Sequence, residues 1–228
     1  EAFAEGNTKQ APPPLRVTPM TLALYGHPFS SYTQKTLVVL YENATPFEFR
    51  CVGPEHPDHT AEWRQRWPMY KFPVLVDGER QVVESSIINE YLQLTYPGPA
   101  PLIPADPLLA IEMRFVDRFF DLHVMDPVQQ AVGAAIKGDA AGKAEAMASA
   151  AERLDRAYAW LERNLPETTW SCGEDFTLAD CSAAPALFYA DWVHRIPEAC
   201  PRLRAYRARL LARPSYARAV DEARPYRA

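Results

Sequence analysis

The chain has 228 residues, a formal net charge of −5, and 23% charged against 48% hydrophobic residues. That length suits one large domain or two small ones and buries enough surface to fold without a covalent staple. The acidic balance without a basic run argues against nucleic-acid and membrane-surface partners, and no apolar stretch reaches the roughly 20 residues that span a bilayer.

Residues 1–19, EAFAEGNTKQAPPPLRVTP, are polar and proline-rich with no apolar signal core. They read as a disordered leader, with Met20 as the native start. Thr21 to Gly26 is an apolar run closed by a glycine, as a buried strand would be. From Ser30 the apolar residues Leu37, Val38, Leu40 and Tyr41 recur at helical spacing, and the helix should end near Asn43. PFEFRCV alternates as a second strand. HPDHTAEWRQRW is a polar helix candidate that Pro68 stops.

FPVLVDGERQVVES reads as a hairpin turning at Asp77-Gly78, a pair that tolerates positive φ. Ser85 or Ser86 then caps a helix with Ile87, Ile88, Tyr91 and Leu92 on one face, ended by Pro97. A helical crossover favours parallel pairing of the first two strands, and the hairpin adds antiparallel ones, giving a small mixed sheet. The proline-dense YPGPAPLIPADP marks a domain boundary. Everything beyond it reads as helix. One helix runs from Leu108 into the mid-130s with Pro127 threatening a kink, and another from Ala140 to Leu165 carries Leu154, Tyr158 and Leu161 on one face. FTLADCSAAPALFYADWV follows, and two basic helices lie near 201–212 and 214–223.

The serines at the first strand–helix junction carry the chemical interest. The plain reading of Ser30 and Ser31 is an N-cap. The sharper reading uses the same place: spare N–H donors and the helix dipole favour an anion, and a serine hydroxyl can donate to it. Bound to a thiolate, such a donor lowers the thiol pKa and raises the fraction of nucleophile. Phe72-Pro73 opens a strand, where a trans bond is the default and a cis bond would free the Phe72 backbone for a ligand. Glu84 reads either as a dipole-complementing surface acid or, with Ser85, as a clamp for the two charged groups of an amino acid. The histidines His27, His56, His59, His123 and His194 have no metal spacing, and neither do Cys51, Cys172, Cys181 and Cys200. With nothing at the N-terminus resembling a signal peptide, these cysteines favour reduced thiols of a cytoplasmic protein over two extracellular bridges. Phe115, Phe119 and Phe120 in RFVDRFFDLH read as core. Thr177 and Asp180 have capping-box spacing, with Phe176 and Cys181 as its hydrophobic staple.

From Met20 to about Tyr226 the chain resembles the soluble glutathione transferases, as a serine-type bacterial-like member. The resemblance rests on a serine ahead of the TLVVL helix, on KFPVL followed by ESSIINEYL, and on FTLADCSAAPAL, in that order. It implies an α/β thioredoxin-like domain over 20–97, a linker over 98–106 and an all-helical domain over 107–228. It implies glutathione as co-substrate with no metal, and a homodimer acting in detoxification. Counting back from Val38-Val39-Leu40, Ser30 falls on the activating position, with Ser31 in reserve. One serine would cap the helix while its neighbour points at sulfur, Ser30 taking the second role. Pro73 would be the family's cis-proline, with the Phe72 backbone pairing to the cysteinyl unit. Glu84 and Ser85 would hold the γ-glutamyl end, and Lys71 would approach the glycyl carboxylate. Phe119, Phe120 and His123 are candidates for an apolar electrophile or peroxide. Two positions depart from the family pattern: Trp67-Pro68 stands where asparagine-proline is common, and Phe72 replaces a small apolar residue. Ser30-Ser31-Tyr32-Thr33 holds no cysteine, which argues against redox chemistry through an enzyme thiol. A glutathione-dependent peroxidase or disulfide reductase, or a non-catalytic glutathione-binding or structural protein, stands as the alternative.

Overall fold

The computed structural model describes residues 22–138 and 140–226; the expected 1–19 leader lies outside them. The first half alternates strands and helices: β1 (Leu22–Gly26), α1 (Ser31–Glu42), β2 (Glu48–Cys51), α2 (Pro57–Arg66), β3 (Val74–Asp77), β4 (Arg80–Val83) and α3 (Ser85–Thr95). The strands form one sheet in the order β2-β1-β3-β4. β1 and β2 pair in parallel, while β3 pairs antiparallel with both β1 and β4. The mixed sheet expected from the crossover and the hairpin is therefore present. The hairpin pairs Asp77 with Arg80, so its two turn residues are Gly78 and Glu79, one place later than the sequence reading, with Gly78 at φ 58°.

Strand side chains alternate between faces, and β1 divides its residues accordingly. Leu22 and Leu24 join the large core with α1, α3 and the helical half, whereas Ala23 and Tyr25 face α2 with Val74, Val76 and Trp63. Burial on both faces explains why β1 is an unbroken apolar run.

The second half is helical: α4 (Pro107–Phe119), a π-helical segment (Phe120–Met125), α5 (Asp126–Lys137), α6 (Ala140–Asn164), α7 (Leu178–Val193), α8 (Pro201–Ala212) and α9 (Pro214–Ala223). This is the thioredoxin-like domain followed by an all-helical domain that the resemblance implies. Pro127 neither breaks nor sharply ends the long helix. It sits in the first turn of α5, and the turns just before it widen to π spacing, which accommodates a residue that has no N–H and crowds the preceding carbonyl.

Two local expectations differ. Neither Ser85 nor Ser86 caps α3: the cap is Glu84, at φ 68° and ψ 117° with no side-chain cap bond, Ser85 is already the first helical residue, and Ser86 bonds to tertiary partners. Ile87 is exposed while Ile88 and Leu92 are buried. The capping box at α7 is present. The Thr177 amide donates to Asp180 Oδ2 at 2.8 Å, and buried Asp180 also accepts from Ser171 N and Tyr206 Oη. All four cysteines are free thiols. No helix among the described residues is long and apolar enough to cross a membrane.

Candidate active site

Three connections meet at one end of the sheet, and the strand register says why. Tyr25 pairs with Val74 and Val74 with Val83. The residues just after β1, just before β3 and just after β4 are therefore neighbours: the His27–Phe29 loop, Phe72-Pro73 and Glu84-Ser85.

The first connection is tightly built. A β-carbon on Gly26 would lie 2.6 Å from both Cγ2 and Oγ1 of Thr33, so only glycine lets β1 pass this close to the first turn of α1. The loop folds on itself through Ser30 N to His27 O at 2.9 Å and Phe29 N to His27 Nδ1 at 3.2 Å. Accepting that bond at Nδ1 fits a neutral imidazole, and burial lowers the His27 pKa against the opposing charge of Glu55. Buried Gln34 pins the loop from behind: its amide donates to Pro28 O and Tyr189 Oη, each at 3.0 Å, while Tyr189 Oη donates to Phe29 O.

Ser30 is the N-cap of α1, and its Oγ accepts from Thr33 N at 3.3 Å. The helix thus engages the oxygen and leaves the hydroxyl proton available to an acceptor. Ser31, the first helical residue, is only 3% exposed, and its Oγ has no partner. Tyr32 is half-buried. Burial, then Asp121 and Asp126, raise its pKa, so a neutral phenol lies between α1 and the π segment.

The second connection carries a cis bond between Phe72 and Pro73. Pro73 is buried, Lys71 is exposed, and Trp63 Nε1 donates to Lys71 O at 2.9 Å. The unusual Phe72 ring packs against Trp63, with centroids 5.6 Å apart. Trp67, at the other departure, ends α2 and packs beside the same smaller core. The third connection is the Glu84 turn, with Glu84 exposed, Ser85 buried and Ser86 half-buried.

Ser30, Phe72, Pro73, Glu84 and Ser85 are thus brought to one end of the sheet. The aromatic candidates sit elsewhere. Phe120 is fully buried and offers no surface to a ligand. Phe119 stacks on Trp160 at 4.4 Å and lines a groove of about 210 Å³ with His123 and Arg153. Asp121 bonds to Lys35 on α1, and His123, two residues on in a helical backbone, projects to nearly the opposite side. A different cavity, about 200 Å³, abuts the Ser30 loop and is lined by Phe29, Gln34, Phe188, Tyr189, Trp192 and Val220. Sequence reasoning missed it, because α7 and α9 supply most of its wall and nothing local marks those residues.

The comparisons agree with this architecture. Family models described as the N-terminal and C-terminal domains of glutathione S-transferase match residues 24–100 and 144–209. A solved glutathione S-transferase of Methylobacterium radiotolerans, in complex with glutathione sulfonate, is 31% identical with a TM-score of 0.72, covering 88% of this chain and 94% of that one. A probable maleylacetoacetate isomerase of Vibrio cholerae is 29% identical over 90% of this chain and 98% of its own length. A stringent starvation protein A homolog of Coxiella burnetii is 27% identical over 88% and 92%. With both halves matched in order and a relative of that identity spanned nearly end to end, the chain belongs to the glutathione S-transferase family.

Proposed function

We propose that this protein is a serine-type glutathione transferase in which the Ser30 hydroxyl donates to the glutathione thiolate. The observation that carries this reading is the meeting of three connections at one end of the sheet: the Ser30 cap, the cis Phe72-Pro73 bond and the Glu84-Ser85 turn. Glutathione would lie across them. Its cysteinyl unit pairs with the Phe72 backbone, its γ-glutamyl end meets Glu84 and the Ser85 amide, and its glycyl carboxylate approaches Lys71. A charge-assisted hydrogen bond to the thiolate contributes about 1.5–3 kcal/mol, which lowers a thiol pKa by roughly one to two units. The thiolate attacks an apolar electrophile, displacing a leaving group or adding to it, and a thioether forms. The apolar cavity beside Phe29, with its aromatic wall from Phe188, Tyr189 and Trp192, suits the electrophile; the Phe119–His123 groove is the more distant candidate.

The measurement is the ultraviolet thiolate absorbance of protein-bound glutathione against pH. Wild type should titrate well below free glutathione, and Ser30→Ala should return close to the free value. An unshifted thiol in wild type would sink the proposal and favour a glutathione-binding protein without turnover.

Assembly as a homodimer is part of the same reading. Leu94 on α3 and Leu108, Ile111 and Phe115 on α4 are large apolar side chains left exposed, enough to form the centre of a subunit interface. Ile111→Asp should convert dimer to monomer by light scattering. Four free thiols fit a reducing, cytoplasmic setting.

A further inference from the structure

Behind the Glu84 turn lies a buried charge cluster that the proposed chemistry does not use. Lys35, on α1, is 1% exposed. Its Nζ lies 2.7 Å from Asp117 Oδ1 and 3.0 Å from Asp121 Oδ2, and it donates to Ser86 Oγ at 2.8 Å. Ser86 Oγ in turn donates to Asp117 Oδ2 at 2.6 Å. Asp117 belongs to α4 and Asp121 to the π segment, so one ammonium joins both halves of the molecule to the first turn of α3. Arg118 reaches Asp121 from the solvent side at 3.2 Å.

Such a cluster is a poor source of stability, because desolvating an ammonium and two carboxylates offsets most of their attraction. What it does supply is direction. Ser86 gives its proton to Asp117 and a lone pair to Lys35, which leaves its side chain one orientation. Two residues earlier Glu84 holds φ 68° without glycine and without a side-chain cap bond. A backbone in that region persists only where its surroundings over-determine it. Val83 is held in the sheet on one side and Ile88 N bonds to Glu84 O, and the tethered Ser86 is the constraint that comes from the other half of the molecule.

We propose that Lys35 is a positioning residue for the γ-glutamyl end of glutathione. Acting through Ser86, it fixes the strained Glu84-Ser85 turn without touching the ligand. The inference rests on the glutathione reading above. It predicts that loss of the tether weakens recognition of the γ-glutamyl unit while leaving Ser30 and thiol activation intact.

The test is a calorimetric titration with glutathione and with the dipeptide Cys-Gly, which lacks the γ-glutamyl unit, together with the thiol pKa of bound glutathione. Ser86→Ala should cut the preference for glutathione over Cys-Gly by about tenfold with the bound thiol pKa unchanged, and Lys35→Met should cut it further. Ser86→Thr, which keeps the hydroxyl, should restore the preference. Lys35→Met leaves the buried Asp117 carboxylate without its cation, while Asp121 keeps Arg118, and can fail to fold; the Ser86 pair of variants then carries the test alone. An unchanged preference in Ser86→Ala, or a restored thiol pKa at unchanged preference, would overturn the inference. Wild type that binds neither ligand would overturn the glutathione reading itself, a distinct result.

Discussion

The two helices that begin at the candidate site start in opposite ways. α1 is capped by its own neighbourhood: Ser30 has ordinary extended angles, φ −86° and ψ 127°, and its side chain satisfies an amide three residues on. α3 begins at a non-glycine residue with positive φ and no side-chain cap bond, and its first turn is held by Lys35, Asp117 and Asp121 from three other elements. One start is determined locally and the other by distant residues. The α1 cap bond is local, although Tyr189 of α7 pins the loop ahead of it, whereas the first turn of α3 is itself held by the other half of the molecule.

That contrast can be broken at α1 by Gly26→Ala. Its β-carbon would press on Thr33, and overpacking of this kind costs about 2 kcal/mol, read from denaturant midpoints. Thr33→Ala added to it should recover part of the loss, since the two nearest contacting atoms are gone. A fully additive double variant would refute the contact as the cause. At α3 the expected sign reverses. Glu84→Gly should stabilise the fold by about 1 kcal/mol by releasing strain, while glutathione affinity falls because the variant removes the carboxylate proposed to meet the γ-glutamyl end and loosens the turn. Ser30→Ala should cost about 1 kcal/mol at most, the usual worth of a cap, so a much larger destabilisation would mean that α1 too depends on tertiary support.

The smallest effect concerns the far end of α1. Burial opposes ionisation of Glu42, yet hydrogen bonds from Arg213 and Ser215 hold its pKa below the ordinary 4.5. Its contribution is therefore complete above about 4.5 and disappears as pH falls through the lower folded value, because the unfolded chain takes up the proton first. Glu42→Gln should flatten the fall in melting temperature over that acid range, and an unaltered slope would remove Glu42 as a source of acid sensitivity.

This contrast also marks how far the sequence could be read. The β3–β4 hairpin and the Thr177–Asp180 box depend on residues within a few positions of each other, and the chain states them openly. The serine pair was divided wrongly: Ser30 was expected to point at sulfur while its neighbour capped, yet Ser30 is itself the cap and Ser31 lies buried inside the first turn. The cis state of Phe72-Pro73 was legible through family resemblance alone, since composition favours trans. The Glu84 cap was missed because the serines beside it are better capping residues; the helix instead begins at Ser85, and Ser86 is engaged by Lys35 and Asp117. Lys35 was missed for a similar reason. A lysine in a helix reads as a solvated side chain, and its burial depends on carboxylates 82 and 86 positions later, 2.7 and 3.0 Å away. The aromatic cavity beside Phe29 is equally non-local, with walls from α1, α7 and α9.

The last helix of the fold is fastened to the first. Arg213 grips the Glu42 carboxylate with two bonds at 2.8 and 2.6 Å, Arg218 lies 3.9 Å from the centre of the Tyr41 ring, and Tyr216 reaches Gln34. On a ribosome the chain emerges from its N-terminus, so α1 waits for these partners while the 171 residues from Glu42 to Arg213 are synthesised. A truncated product ending before Arg213 would expose the apolar flank of α1 with nothing to cover it. The body of α1 is thus fully packed long after the serine cap at its head has formed.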